Sequence, residues 1–468
     1  VPKAKPRVKP GSSAKLGRTE ASAELNSRAR FTKRAPISSH AKFVRQEEIT
    51  TVDLETKVYP NGLRVFSERL PSASSVAVGL WVNAGSLHES KSNAGIAHFI
   101  EHMVFKGTAG KSMREIMRSV ESRGGMLNAY TTKEHTCYYT WTRTVQLREA
   151  LDVLCELAAR PNFTERDIER ERNVIIEEIN GLEDEPDELV FDLFEKELFG
   201  DHPLGRPVIG TTKSVSKFNR EDLLRFHARH YRADQITIVA SGAHQHAELF
   251  EAIEAVLGNF GSTKTRSSSP KPYSRHKPRL KQTISREGGQ QSHIILGRRA
   301  PGMMSKDQVG ISALVTLLGV GMSSRLNLRL REELGLAYDA AAFYSPFKDR
   351  GSIGLYVATS VESQERSIKE MRNILKGLFS RPISQTELDR TKDQMIGGLI
   401  LSLESVSNRM MRAGMQALYY NAYHPLEKEI EKIAELELSE IRALAKHLFE
   451  DESGLSLVAV VPKQEDEE

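Results

Sequence analysis

"KSNAGIAHFIEHMVFKGTAG" (residues 91–110) and "KDQVGISALVTLLGVGMSSR" (residues 306–325) are two versions of one segment, and reading them as a pair decides the fold. Aligning Gly310 with Gly95 sets Ala313 against His98, Thr316 against Glu101 and Leu317 against His102. The apolar positions persist while the three polar ones vanish. A helix is expected at both places, entered in the first copy through Ser92-Asn93 as N-cap and left at Gly107 as C-cap.

The repeat extends outward. "SVAVGLWVNAGS" (75–86) and "SHIILGRRAPG" (292–302) both read as strands preceding the helix, and "RPNFTERDIERERNVIIEE" (160–178) matches "RPISQTELDRTKDQMIGG" (381–398). In the first copy, "KVYPNGLRVF" (57–66) carries an Asn61-Gly62 hairpin signal. "LNAYTTKEHTCYYTWT" (127–142) is rich in β-branched and aromatic residues, and a helical stretch from about 145 to 200 is interrupted at Pro161 and Pro186. The expected fold is α+β, with two homologous domains, each a mostly antiparallel sheet covered by helices. Residues 50–262 form the first domain, 263–282 a Ser/Pro/Lys-rich linker ("GSTKTRSSSPKPYSRHKPRLKQ" spans 261–282) and 283–468 the second.

Composition bounds the rest. A chain of 468 residues is too long for one ordinary core. Its 39% hydrophobic and 27% charged residues are those of a globular protein, and no run of eighteen apolar residues predicts a membrane span. Residues 1–49 form a basic leader: within the first 46, twelve Lys and Arg face only Glu20 and Glu24, which leaves the remainder net acidic. Such a leader reads as a disordered tail, with an organelle-targeting segment or a nucleic-acid-binding arm as the alternatives. Cys137 and Cys155 lack C-x-x-C spacing and read as buried free thiols. No nucleotide-binding pattern is present, so ATP dependence is not expected, and no nucleic-acid partner is expected. The compartment expected is the bacterial cytoplasm, or an organelle if the leader is a targeting segment.

His98, Glu101 and His102 stand at i, i+3 and i+4, so a helix of 3.6 residues per turn places them on one face while Phe99 and Ile100 turn away. Two neutral imidazoles one turn apart can hold one Zn²⁺, and a carboxylate on the same face can act as general base toward a metal-activated water. This H-x-x-E-H order inverts the commoner H-E-x-x-H motif. A catalytic zinc needs a third ligand, and "ERERNVIIEEING" (169–181) supplies candidates. Glu171 and Glu178 are seven residues apart and share a helical face, whereas Glu177 points about 100° away. Glu178 is the expected ligand, with Glu171 orienting a ligand or aiding proton transfer. The second copy has Thr391 and Gly398 at these positions, so the proposed ligands are missing from it together. His135 and His202 have no partner at ligand spacing, and "LEDEPDE" (182–188) reads as a solvated turn.

"HFIEHMVFKGT" followed some eighty residues on by "ERNVIIEE" resembles the pitrilysin and insulin-degrading enzyme group of zinc endopeptidases. The likeness is greatest to the half-length branch that includes the β subunit of the mitochondrial processing peptidase and its bacterial relatives, and it covers residues 52 to 463. The resemblance implies one zinc per chain held by His98, His102 and Glu178, with Glu101 as base. It implies that Asn128 and Ala129 lie on an edge strand to which a substrate backbone can add. It also implies that Arg331 and Tyr338, in "REELGLAY" (331–338), reach from the second domain to bind the scissile peptide and steady its oxyanion. Substrates would be peptides or unfolded polypeptide segments, and the assembly a homodimer. The alternatives are a heterodimer with a homologous chain lacking the zinc trio, and a non-catalytic scaffold of the same fold.

Overall fold

The structure, a computed structural model, describes residues 52–261, 281–286 and 290–463. The leader expected at 1–49 and most of the linker expected at 263–282 lie outside the described residues.

The Asn61-Gly62 turn folds as expected. It joins β1 (Asp53–Val58) to β2 (Arg64–Arg69) as an antiparallel pair, with Gly62 at φ +89°, in the left-handed region that favours glycine. Next come β3 (Ser75–Val82), β4 (Met126–Thr131), β5 (Thr136–Arg143) and β6 (Ile236–Gly242). They form a six-stranded sheet in the order β1-β2-β6-β3-β5-β4. The second half contributes β7 (Lys281–Arg286), β8 (Gln291–Pro301), β9 (Ala337–Pro346), β10 (Arg350–Ser360) and β11 (Ser456–Pro462), in the order β7-β11-β8-β10-β9.

Apart from the extra β1, the two sheets share one topology. In each, the first strand of the five runs parallel to the last, and every other neighbouring pair is antiparallel. The duplication read from sequence is therefore a duplication of fold.

Helices follow the same plan. In the first half α1 (Ile96–Val104) is followed by α2 (Leu147–Ala159), α3 (Glu165–Glu183) and α4 (Pro186–Phe199). Pro186 takes the first turn of α4, where its missing N–H costs nothing. In the second half α5 (Gln308–Gly319) is followed by α6 (Gln364–Ser380), α7 (Gln385–Ser402) and α8 (Val406–Tyr420).

The last helix of each set crosses to the sheet of the other half. On α4, Val190, Phe194 and Leu198 pack on Ile295, Tyr356, Val458 and Val460 of the second sheet. On α8, Val406, Met410, Ala413 and Ala417 pack on Phe66, Ala77, Trp81 and Val239 of the first. Fully burying one such side chain contributes roughly 1.5–3 kcal/mol, so this exchange is a large part of what joins the halves. Polar contacts add to it. Glu68 of β2, 2% exposed, accepts hydrogen bonds from Arg409 Nη1 (3.0 Å), Tyr423 Oη (3.2 Å) and Ser241 Oγ (2.6 Å).

The α8 crossing needs a close approach. A Cβ built on Gly414 would stand 2.3 Å from the buried Trp81 ring, and one on Gly79 would stand 2.4 Å from the same ring and 2.6 Å from Met410 Sδ. Gly414→Ala is expected to lower stability by about 1–3 kcal/mol through overpacking, despite the better helix propensity of alanine. Urea denaturation checks this, and an unchanged or raised midpoint would refute the close-packing account.

Candidate metal centre

α1 is amphipathic in the way its sequence requires. Phe99, Ile100, Met103 and Val104 are fully buried in the core of the first half, and His98, Glu101 and His102 are left on the remaining face. In α5 the corresponding Ala313 and Leu317 are simply buried, and Thr316 returns its hydroxyl to the carbonyl of Ser312 at 2.9 Å.

The helix start differs from the expectation. The N-cap is Gly95 (φ +93°), not Ser92-Asn93; those residues belong to a separate short turn in which Asn93 Oδ1 accepts from Ser90 N at 2.6 Å. The α1 N–H groups are met instead by buried Glu89, whose two oxygens accept from Gly95 N (2.8 Å) and Ala97 N (2.9 Å). Burial pushes the Glu89 carboxyl up to about 8, against the pull of these N–H donors, Arg206 and Lys133. The C-cap is Phe105 and not Gly107, so the helix is two residues shorter than anticipated at that end.

α3 lies against α1 and brings the third candidate. One ligand atom from each of His98, His102 and Glu178 can be chosen so that all lie within 4.8 Å of one another. The expected pairing of Glu178 with the two histidines is thus realised in space, 76 residues or more along the chain. His102 is oriented from behind: Nδ1 is 3.3 Å from Glu171 Oε2, and Nε2 is 3.7 Å from Glu178 Oε2. Glu171 Oε1 is in turn held by Lys106 Nζ at 2.7 Å. Glu101 points elsewhere, its Oε2 accepting from Thr131 Oγ1 at 2.6 Å.

The electrostatics fit a cation. Burial, with the neighbouring His102, holds His98 down at about 3, so at neutral pH it is an uncharged imidazole, the form that binds metal. Its buried Nδ1 has no hydrogen-bond partner. Burial would lower His102 too, but Glu171, Glu178 and Glu101 outweigh it and raise the ring above its ordinary value. Burial raises Glu101, while the Thr131 hydroxyl and His102 pull it back. Burial likewise works to raise Glu171, but His102 and Lys106 prevail and it ends lowered.

Two neutral-capable imidazoles and a carboxylate fit the donor set of a catalytic zinc, and Glu171 stands where a carboxylate would fix the orientation of His102. His98, His102 and Glu178 would hold a zinc ion if their ligand atoms drew closer together than they stand here.

A cavity of about 560 Å³ opens beside His98, walled by Thr131, Glu178, Leu182, Glu185, Glu188 and Asp192 among others. The "LEDEPDE" segment is solvated, as read from sequence, but it is not merely a turn. Leu182 lies in the last turn of α3, Glu185 is the N-cap of α4 and Glu188 lies in its first turn, and all three line this cavity.

Asn128 and Ala129 sit on β4, the outer edge of the first sheet, where Asn128 Oδ1 accepts from Ala129 N at 2.8 Å. Arg331 and Tyr338 are exposed on the second half, Tyr338 at the start of edge strand β9, and neither belongs to the cavity wall. His135 is a buried core histidine and His202 caps a short turn, in keeping with their exclusion. Both cysteines are buried and free. Glu89, Lys106 and Thr131 escaped sequence reasoning because each acts through a contact that no local spacing encodes.

The model described as Insulinase (Peptidase family M16) matches residues 64–212, and that described as Peptidase M16 inactive domain matches 217–395. The chain is 35% identical over 403 residues to a Mycobacterium leprae protein named an uncharacterized zinc protease, covering 85% of this chain and 90% of that one. It is 34% identical over 401 residues to the uncharacterized zinc protease YmxG of Bacillus subtilis, covering 85% and 96%. A crystal structure of a protease from Helicobacter pylori superposes with a TM-score of 0.83 at 25% identity, over 88% of this chain and all of that one. This chain belongs to peptidase family M16. The half without the histidine pair is the one that carries most of the match to the inactive domain.

Because a proton and a metal ion compete for His102 Nε2, zinc affinity is expected to fall as pH is lowered from about 8 to 5, with the loss beginning above the ordinary histidine value. Glu171→Gln should weaken zinc binding by about 10- to 100-fold. Competition with a fluorescent chelator measures both; affinity that ignores pH, or a Glu171→Gln protein that binds as wild type, would refute the assigned roles.

Proposed function

We propose that this chain is a zinc-dependent endopeptidase acting on peptides or unfolded polypeptide segments, with one zinc per chain held by His98, His102 and Glu178. The observation that carries the reading is the orientation of His102, with Nδ1 on Glu171 and Nε2 toward Glu178. A structural salt-bridge cluster would have no need to present a second, uncharged histidine with an unpartnered nitrogen beside it.

When bound, zinc supplies Lewis acidity toward a water molecule and a scissile carbonyl. Glu101 takes the water proton and passes it to the leaving amine, a task suited to a carboxyl that burial has made more basic. A substrate strand adds to the open edge of β4 beside Asn128 and Ala129, taking the N–H that Asn128 now satisfies. Arg331 and Tyr338 donate to the substrate carbonyl and its oxyanion once a peptide bridges the halves.

The cavity wall presents Glu185, Glu188 and Asp192 and no lysine or arginine among its lining residues, so a basic substrate side chain fits it best. No described helix is long and apolar enough to cross a membrane. The reading adopted is a homodimeric bacterial cytoplasmic peptidase, a compartment in which the buried thiols of Cys137 and Cys155 stay reduced.

Glu101→Gln is expected to cut peptide hydrolysis by at least about 10²-fold with zinc still bound. Cleavage at the wild-type rate by zinc-loaded Glu101→Gln protein would overturn the assignment. Glu188→Lys should reverse the preference between otherwise identical fluorogenic peptides carrying Arg or Glu near the cleaved bond, and an unaltered preference would remove the acidic wall from the account.

A further inference from the structure

The turn between β4 and β5 is held more firmly than its position at the end of a hairpin requires. Lys133 is 6% exposed and pairs with Glu195 Oε2 of α4 at 2.8 Å. Glu134 accepts from Tyr419 Oη of α8 at 2.7 Å and from the backbone N–H of Lys348 at 3.0 Å. Both crossing helices thus fasten this turn. Thr131, the last residue of β4, sits at its base opposite Thr136, the first of β5.

Each threonine hydroxyl has one proton to give. That of Thr136 goes to the carbonyl of Ala84 at 2.9 Å. That of Thr131 has two acceptors in reach, Thr136 Oγ1 at 3.3 Å and Glu101 Oε2 at 2.6 Å. The carboxylate is both nearer and charged, and a charge-assisted O–H···O⁻ bond at such a distance is the stronger kind. The Thr131 hydroxyl therefore donates its hydrogen bond to Glu101. It fixes one carboxylate oxygen, Oε2, of a half-buried side chain.

We infer that Thr131 is a positioning residue for the general base: its hydroxyl, on a strand end clamped from both halves and beside the cavity that Thr131 helps to wall, holds the Glu101 carboxylate in place. The inference rests on Glu101 being the base. Thr131 transfers no proton and touches no metal. Its contribution is to hold Glu101 within the narrow range of geometries that proton transfer tolerates, where a displacement of the order of 1 Å costs about 10²-fold.

The test compares wild type, Glu101→Gln, Thr131→Val and Thr131→Ser on one fluorogenic peptide, with zinc content measured for each. Valine matches threonine in shape and suits a strand, so the fold is retained; should Thr131→Val not fold, Thr131→Ala makes the same comparison. The expected result is a fall in kcat of about 10- to 100-fold for Thr131→Val with KM and zinc content near wild type, and rescue by Thr131→Ser. Crystals of the metal-free proteins give an activity-independent readout: Glu101 should leave its position in Thr131→Val and keep its hydroxyl contact in Thr131→Ser. Wild-type kcat in Thr131→Val, or an unmoved Glu101, would overturn the positioning role. An active Glu101→Gln enzyme would instead overturn the reading on which it rests, so the two failures are separable.

Discussion

Burial of Phe99, Ile100, Met103 and Val104 fixes the rotation of α1 about its axis, and the rest of the site depends on that angle. With four fully buried side chains on one side, a turn of even one residue, about 100°, would expose a phenylalanine or an isoleucine to water and bury a histidine. His98 and His102 consequently face Glu178 of α3, and Glu101 meets Thr131 of β4. The helix start is pinned by Glu89 and its rotation by the core, so the fold itself sets the direction of the two histidines.

A rigid helix is useful only if α3 holds its distance. α3 runs into α4, which is buried on the second sheet, while α8 returns the favour on the first. The position of Glu178 is thus set at both ends, by the core of its own half and by the sheet of the other. The same crossings fasten the β4–β5 turn through Lys133 and Glu134, and Thr131 carries that constraint to Glu101. The proposed ligands and the proposed base have separate supports: Glu171 and Lys106, within the first half, hold His102, while Thr131, at a turn fastened by both crossing helices, holds Glu101.

Much of this was legible in the sequence because it follows from periodicity. Strand alternation, the Asn61-Gly62 turn and the 3.6-residue face of α1 are local signals, and the repeat showed which residues of the helix the fold does not need. The shared face of Glu171 and Glu178 was equally a matter of helical spacing. What was not legible depends on contacts between distant segments. Glu89 caps α1 from outside the helix, where a Ser-Asn pair nearer the start offered a stronger local signal that a different turn had already claimed. The acidic segment after α3 looked like an ordinary solvated turn because charge runs usually are; only the crossing of α4 turns Glu185 and Glu188 toward the cavity. The exchange of helices leaves no local mark either, since α4 and α8 are amphipathic whichever sheet they cover.

The central claim is that the surplus polar face of α1, together with Glu178, is a zinc site. Anomalous diffraction at the zinc edge from crystals of the zinc-loaded protein tests it most directly. The account predicts a single peak per chain in the first half, bonded to His98, His102 and Glu178 and lost in a His102→Ala protein. A zinc-loaded crystal with no peak there, or with the ion bound by other side chains, would contradict it.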